Sequence, residues 1–290
     1  MEAADEVVDQ EPRATDPLEV EETDGPFVED AQAAWTLALA GHVTGSERYS
    51  TAAAEVVDAW VTTARSARGA CPESGACDTS LMVSRSAPAL VFAVDLLATS
   101  GRYAPEQRQR FRRWLRDVVL PTASDRDNNW GDAGTYLIAV VGVELGDREV
   151  QERAAARWRS RLDLVLADGR IPEEMRRGDA SLMYSQDSLD YKVATAEVLR
   201  RVGIDLFDHR GAEGGTLRAA LDLVAAGLED ESTWPGGEGD LRIPDPSGAW
   251  AIAAARWPTD RFVALARAAA EGDGEGHSAV IWTTLTHPPP

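Results

Sequence analysis

The sequence has few of the residues that build metal sites and disulfide frameworks, with two cysteines and four histidines in 290 residues. Two thiols cannot complete a tetrahedral zinc site, and no histidine stands at ligand spacing from them. The histidines are dispersed, so we expect no metal and no other cofactor. Cys71 and Cys77 lie six residues apart in a segment rich in turn-forming residues, where either a small disulfide loop or two free thiols would fit. A disulfide would suit an exported protein.

Long apolar runs and an excess of cations are also missing. No stretch of about 18 apolar residues occurs, which predicts that no segment spans a membrane. The 49 acidic residues outnumber the 29 basic ones, and the net charge of -20 argues against nucleic acid or an anionic membrane surface as a partner. The first 24 residues have neither the basic nor the apolar region of a secretion signal, so secretion is expected only if this is a mature chain.

The familiar catalytic motifs are absent too, because neither GxSxG, a P-loop, GxGxxG nor HExxH occurs. Acidic residues are so numerous that no carboxylate pair of a glycoside hydrolase can be singled out. Lys192 is the only lysine, so the other 28 cations are arginines, which bind carboxylates bidentately where lysine cannot.

What the chain does contain is a succession of apolar stripes with helical spacing. The clearest amphipathic stretch runs from Ala104 to Leu120. Helices are predicted over residues 27–40, 47–64, 87–98, 104–120, 130–145, 147–166, 182–202, 216–228, 248–255 and 259–270. Only residues 279–285 resemble a strand. The fold class expected is therefore all-α, with antiparallel helical hairpins either stacked in a line or closed into a ring.

The domain organisation expected is simple. Residues 1–25 are acidic, contain prolines and show no period, which predicts a flexible, solvated lead-in. A single helical domain is expected over residues 26–290. Within it, residues 68–86 hold both cysteines and are predicted to form a looser segment.

Two polar segments interrupt the helical pattern with residue types that bind anions. The first runs from Asp127 to Gly134, where a helix is expected to begin, and its free N–H groups and helix dipole favour an anion next to Asn129. The second runs from Gly169 to Ser185 and places Arg177 seven residues before Tyr184. The two share a helix face if the helix begins early; otherwise the fold must bring them together. An arginine beside a phenol favours the phenolate, which is a usable base. Purely structural roles would explain the same residues: Asn129 as a helix N-cap, Arg177 as a surface arginine and Tyr184 as a half-buried tyrosine.

Together the two segments resemble the alginate lyase domain of polysaccharide lyase family five and its relatives. The resemblance lies in Asn128-Asn129-Trp130-Gly131 and in Gly169-x-Ile-Pro-x-Glu-x-Arg-Arg-Gly, followed by Tyr184-Ser185. Residues 30–35 and 45–60 resemble the early helical hairpin of that domain, and the similarity covers roughly residues 27–235. It implies an incomplete α/α toroid of antiparallel helical hairpins around a cleft. It also implies metal-independent β-elimination of a uronic-acid polysaccharide.

The resemblance assigns roles to three residues of this chain. Asn129 and Arg177 match the asparagine and arginine that neutralise the substrate carboxylate, and Tyr184 matches the catalytic tyrosine. In the well-known alginate lyases a histidine follows the asparagine and another precedes the tyrosine, whereas these places hold Trp130 and Met183 here. The lid loop of the family, which carries a further tyrosine, has no evident counterpart in residues 1–26. Relatives with Asn-Trp act on diverse substrates, so the match does not single out alginate itself. The substrate expected is a uronate polymer, either alginate or polymannuronate or a glucuronan-like polymer.

The chemistry explains why these residue types belong together. Elimination removes the C5 proton of a uronate, which the adjacent carboxylate opposes unless donors stabilise the developing charge. Tyr184 is expected to remove this proton and to pass a proton to the leaving oxygen. Further contacts with the polymer are expected from Trp130, Asn128, Arg176, Arg85 and Gln186, and Arg85, Arg176 and Arg177 should cluster on one concave wall.

Two other classes of function stay open. One is a toroid that binds an anionic glycan without cleaving it, which the missing histidines and lid favour. The other is a helical glycoside hydrolase or a purely structural α/α repeat, which predicts a pair of facing acids or no polar cleft. The sequence makes no prediction of the oligomeric state.

Overall fold

The computed structural model describes residues 1–20, 25–68, 79–236, 240–271 and 283–287. Within these ranges the regular elements are helical, apart from isolated β-bridges. The α-helices are α1 (Glu2–Val7), α2 (Pro26–Thr44), α3 (Glu47–Thr63), α4 (Thr79–Thr99), α5 (Pro105–Trp114), α6 (Asn129–Leu145), α7 (Arg148–Leu162), α8 (Pro172–Met175), α9 (Ser181–Arg200), α10 (Leu217–Glu229), α11 (Ala249–Arg256), α12 (Asp260–Glu271) and α13 (Thr283–Thr286). The chain divides into two compact units. The first comprises Met1–Ser124 and Val140–Asp147, and the second comprises Asp125–Ala139 and Arg148–Pro290.

The first unit is built around α2, which packs against α3 and α4. Phe27 and Trp60 meet edge to face with ring centroids 4.9 Å apart, and the indole N–H of Trp60 donates to Asp30 over 2.8 Å. Helix α4 is long and apolar enough for a membrane span by composition, with a mean hydropathy of 1.6. However, 72% of that stretch is buried, as in the core helix of a globular protein.

The first twenty residues differ from the solvated segment that their composition predicts. Helix α1 packs on α2, and the hydroxyl of Tyr49 donates to Asp5 over 2.6 Å. Leu18 is fully buried and forms a parallel bridge with Ala67. Apolar residues that follow no helical or strand period can still be buried when hydrogen bonds, such as the one between Tyr49 and Asp5, hold their segment against the helices. The single domain expected over residues 26–290 stays a prediction.

The second unit is organised around α9, whose neighbours include α7, α8, α10 and α11. Three buried tryptophans of this unit, Trp158, Trp234 and Trp250, combine apolar burial with one indole hydrogen bond each. The indole N–H of Trp158 donates to the carbonyl of Lys192, and that of Trp234 donates to the hydroxyl of Ser181, both over 2.9 Å. Many buried positions of α9 are nonetheless polar, among them Ser185, Gln186, Asp187, Ser188, Asp190, Lys192, Thr195 and Glu197. So many buried polar groups require hydrogen-bond partners. Ser188 and Lys192, for example, both donate to Asp132 of α6.

The predicted helices are present, but several differ in extent: α2 continues to Thr44 rather than residue 40, and α7 ends at Leu162 rather than residue 166. Helix α4 begins at Thr79, eight residues before the predicted start, so the last part of the looser segment is helical. The predicted helix over 104–120 is α-helical only to Trp114, after which a π-helical turn (Leu115–Val119) leads to a short 3-10 turn holding Pro121. Proline has no N–H to continue the helical ladder. Residues 283–285, the described part of the predicted strand, belong to the helix α13 (Thr283–Thr286). Cys71, Cys77 and residues 279–282 lie outside the described residues.

Candidate functional site

The first polar segment forms the beginning of α6 in the second unit. Asn129 is the first residue of α6 and is only 3% exposed. Its backbone N–H donates to Oε1 of Glu174 over 2.6 Å. Its side-chain oxygen has no hydrogen-bond partner among the described residues. A buried amide with an unsatisfied oxygen is rare in a purely structural position.

Gly131 is required by the packing of this turn. A Cβ at this position would lie 1.8 Å from the carbonyl oxygen of Arg126 and 2.6 Å from Nη1 of Arg161. The guanidinium of Arg161 occupies this space because it donates to the carbonyls of Arg126 and Asn128 over 2.8 and 2.5 Å. Arg161 of α7 therefore fixes the backbone that leads into Asn129.

A buried ionic cluster joins α6, α7 and α9. Asp132 is 3% exposed and accepts hydrogen bonds from Arg161 Nε over 2.5 Å, Lys192 Nζ over 2.6 Å and Ser188 Oγ over 2.7 Å. Burial raises the pKa of Asp132, but the charges of Lys192 and Arg161 outweigh this effect and hold the pKa below its usual value. The only lysine of the chain is thus part of the framework beneath the start of α6.

Glu174 of α8 is the least expected member of the site. Its side chain is fully buried and its Oε2 has no hydrogen-bond partner among the described residues. Burial and, secondly, the negative charge of Asp132 raise the pKa of Glu174 to about 7, although the hydrogen bond from Asn129 and the charges of Lys192 and Arg177 act in the opposite direction. This carboxyl group changes its charge near neutral pH.

Arg177 and Tyr184 are brought together although a loop intervenes. A 3-10 turn (Gly178–Ala180) separates Arg177 from the start of α9, and Gly178 has a φ of 61° that favours glycine. The guanidinium carbon of Arg177 lies 3.8 Å from the centroid of the Tyr184 ring. Both side chains are half-buried, so they can be reached from solvent, while Asn129 lies deeper. The backbone N–H of Arg177 donates to the carbonyl of Glu174 over 3.0 Å, which links this pair to Asn129 through one residue.

The remaining predicted contacts of the second unit occupy different environments. Trp130 is half-buried, and the guanidinium of Arg126 covers one face of its ring at 4.3 Å, which leaves the other face to wall a cleft or to stack on a sugar. Asn128 is half-buried, and its side-chain oxygen accepts from the N–H of Trp130 over 3.1 Å. Arg176 is exposed and forms an ion pair with Glu173.

The expectation for Gln186 needs correction. Gln186 is 4% exposed, and both ends of its amide are used within the protein. The nitrogen donates to the carbonyl of Asp245 over 2.8 Å, and the oxygen accepts from the indole N–H of Trp250 over 3.0 Å. Gln186 therefore joins α9 to α11 and to the segment before it, and it is too deeply buried to serve as a surface contact for a sugar.

Arg85 lies in α4 of the first unit and is half-buried. The expected cluster of Arg85 with Arg176 and Arg177 stays a prediction. Arg176 and Arg177 themselves are neighbours in the turn that follows α8.

A cavity of about 270 Å³ lies in the second unit beside the ionic cluster. Its lining includes Asp132, Lys192, Glu174 and, at an exposed position, Glu213. Asn129, Arg177 and Tyr184 do not line it. Glu174 thus lines the cavity, although its Oε2 is itself buried.

Comparison with known families decides the affiliation. The alginate lyase family model matches residues 13–234, which is more than half of the chain. This chain belongs to the alginate lyase family. The match begins within the first twenty-five residues, where the structure also shows packed side chains.

Individual members of the alginate lyase family are distant in sequence. The chain is 25% identical over 171 residues to a polysaccharide lyase of Stenotrophomonas maltophilia, which covers 54% of this chain and 49% of that protein. It is 27% identical over 143 residues to an alginate lyase of Azotobacter vinelandii, which covers 47% of this chain and 37% of that protein. The chain thus spans half or less of the length of these curated relatives.

Solved structures of the alginate lyase family share the fold. Alginate lyase A1-III from Sphingomonas species A1 matches with a TM-score of 0.73 and 19% identity over 88% of this chain and 80% of that one. An alginate lyase from Bacteroides ovatus matches with a TM-score of 0.70 and 16% identity over 89% of this chain and 73% of that one. A histidine-to-alanine variant of A1-III complexed with a tetrasaccharide matches with a TM-score of 0.69 and 19% identity over 85% of this chain and 77% of that one. The predicted fold class, an all-α toroid, is confirmed.

The sequence alone did not predict the residues that hold the candidate site together. Glu174 belongs to the matching pattern and Asp132 to the first polar segment, but neither has a predicted role, and Arg161 lies outside both segments. The single lysine was noticeable in the composition, but its partner lies 60 residues away in the sequence. Contacts of this kind depend on how α6, α7 and α9 pack.

Proposed function

We propose that this chain is a polysaccharide lyase that cleaves a uronic-acid-containing polymer, of the alginate, polymannuronate or glucuronan type, by β-elimination. The observation that carries the proposal is the stack of the Arg177 guanidinium on the Tyr184 ring, with Asn129 joined to the same segment through Glu174. Membership of the alginate lyase family and the tetrasaccharide bound by variants of A1-III support a polymeric sugar as substrate.

Each residue of the trio has a distinct part in this reaction. The Arg177 guanidinium, stacked through its face, keeps its N–H edges available for a carboxylate. The Asn129 amide donates a second hydrogen bond to the same carboxylate. Together they stabilise the negative charge that grows on the carboxylate as the C5 proton leaves, a contribution of about 3 kcal/mol for each well-placed donor.

Tyr184 takes the proton from C5 and delivers a proton to the oxygen of the leaving sugar. The C5–H bond breaks, a C4–C5 double bond forms and the C4–O bond breaks, so the products are one unsaturated and one ordinary chain end. The guanidinium carbon of Arg177 lies 3.8 Å from the centroid of this ring, so a positive charge stays beside the phenol throughout the cycle.

The test uses the intact chain with polymannuronate, polyguluronate and glucuronan, and follows the ultraviolet absorbance of the unsaturated product. We expect product from at least one polymer, and we expect Tyr184→Phe to abolish turnover while calorimetry still shows binding. Tyr49→Phe is the matched control, because it removes a tyrosine hydroxyl bonded to Asp5 in the first unit and should leave turnover unchanged.

Two outcomes would overturn the assignment. Turnover retained by Tyr184→Phe would remove the phenol from the mechanism. Polymer bound by the folded wild-type chain without any product would instead select a glycan-binding protein, the alternative that Trp130 in the place of a histidine favours.

A further inference from the structure

Glu174 connects the two residues that the proposed function places on the substrate carboxylate. Its Oε1 accepts the backbone N–H of Asn129 over 2.6 Å. Its own carbonyl accepts the backbone N–H of Arg177 over 3.0 Å. Asn129 and Arg177 are 48 residues apart in sequence, and Glu174 makes a direct contact with each.

The other carboxylate oxygen of Glu174 is not needed for that connection. Oε2 is buried without a hydrogen-bond partner among the described residues, and Glu174 lines the cavity of about 270 Å³. Asn129, Arg177 and Tyr184 do not line this cavity, so Glu174 lies between the cavity and the residues proposed to bind the substrate carboxylate.

The charges that face Glu174 come from four elements. Asp132 of α6 opposes the ionised form, while Lys192 of α9 and Arg177, which follows α8, favour it. Arg161 of α7 completes the cluster through its ion pair with Asp132. Because the buried carboxyl group is cut off from hydration, its ionised form is disfavoured, and both the protonated and the ionised form of Glu174 are present near neutral pH.

We propose that Glu174 is a positioning residue of the lyase, which sets the spacing of Asn129 and Arg177 and whose proton keeps a second negative charge away from the substrate carboxylate. This inference rests on the proposed function. The protonated form still accepts the Asn129 N–H through Oε1, so positioning and charge are separable properties of one side chain. Ionisation of Glu174 would weaken binding of a uronate by direct repulsion.

Binding is measured in the Tyr184→Phe background, where the polymer that the wild type cleaves is bound but not cut, so that calorimetry gives Kd at each pH. We expect Kd to rise about tenfold between pH 6 and pH 8 as Glu174 ionises. Adding Glu174→Gln, which keeps an oxygen acceptor and never ionises, should remove this rise. Adding Glu174→Ala, which loses the acceptor, should weaken binding at both pH values. Adding Glu213→Gln, which removes a carboxylate from an exposed position of the same cavity, should leave the rise unchanged.

A second measurement separates this inference from the lyase assignment. The folded chain holds Glu174 protonated up to a pKa of about 7, whereas the unfolded carboxyl ionises at 4.5, so native stability falls as pH rises between these values. The Tm of Glu174→Gln minus the Tm of the wild type should therefore be about 5 °C larger at pH 8 than at pH 5. If no polymer is cleaved but this gain is present, the proposed function fails while the proton on Glu174 stands. If Glu174→Gln keeps both the Kd rise and the wild-type dependence of Tm on pH, the inference is overturned.

Discussion

The buried pair of Lys192 and Asp132 should be the most sensitive point of the second unit. Both side chains are almost fully buried, and Nζ lies 2.6 Å from Oδ2 of Asp132 and 2.8 Å from the hydroxyl of Ser188. Lys192→Met keeps a long apolar side chain but leaves Asp132 with Arg161 and Ser188 alone. We expect α6 and α9 to be held together less tightly in this variant.

The magnitude follows from the environment of the pair. At an effective dielectric constant of about 20, two unit charges at this separation attract by about 6 kcal/mol, from which the cost of burying the ammonium group must be subtracted. Removal of one partner of a buried pair costs about 3–5 kcal/mol. Because Arg161 still compensates Asp132, we expect the lower end, about 3 kcal/mol, and a fall in Tm of about 6 °C.

Urea unfolding followed by circular dichroism and by tryptophan fluorescence measures this change. Coincident transitions establish that a two-state free energy can be extracted. Trp158 reports on the right place, since its indole N–H donates to the carbonyl of Lys192. The control is Arg148→Met, which removes one partner of an exposed i,i+4 pair with Glu152 and should change stability by less than about 0.5 kcal/mol.

The comparison of variants also has a clear refutation. Asp132→Asn should cost more than Lys192→Met, because it leaves two buried cations, Lys192 and Arg161, without their shared carboxylate. If Lys192→Met unfolds at the same urea concentration as the wild type, the ionic cluster does not hold the second unit together.

Two further changes test the local geometry. Arg177→Lys keeps the positive charge but loses the guanidinium over the Tyr184 ring and its bidentate binding of a carboxylate. We therefore expect kcat/KM to fall about 100-fold while Tm is unchanged. Near-wild-type kinetics would show that a point charge suffices. Gly131→Ala places a Cβ 1.8 Å from the carbonyl oxygen of Arg126. We expect it to lower the free energy of unfolding in urea by more than about 2 kcal/mol and to reduce turnover. A stable and active variant would mean that this turn is not tightly packed.

The helices were predictable because a period of 3.6 residues requires no knowledge of tertiary contacts. The differences lie where tertiary contacts outweigh local pattern. The apolar pattern places the start of α4 at residue 87, yet the helix begins at Thr79, and Leu81, Met82 and Val83 in its first turns are buried. Leu18 has no periodic neighbours, yet it is fully buried and pairs with the segment around Ala67.

The candidate site was predictable only in part, for a different reason. Arg177 and Tyr184 are close in sequence, so a short turn suffices to bring them together. Asn129 and Glu174 are 45 residues apart, and their contact depends on the placement of α6 relative to α8. Gln186 was misassigned because a polar residue two positions after Tyr184 looks available in the sequence, whereas Asp245 and Trp250 use both of its groups.

The net charge of -20 is a poor guide to the ligand of such a protein. At physiological salt, charges further apart than about 8 Å are largely screened, so the groups nearest the reacting carboxylate decide how it is bound. In the buried cluster, two cations, Arg161 and Lys192, share the single carboxylate of Asp132 while Glu174 holds its proton. The cluster beneath Asn129 then carries one net positive charge, and it loses that charge when Glu174 ionises. An acidic chain can therefore keep a positive field around Asn129 while Glu174 is protonated, and the proposed binding of an anionic sugar should weaken as the pH rises through the pKa of about 7.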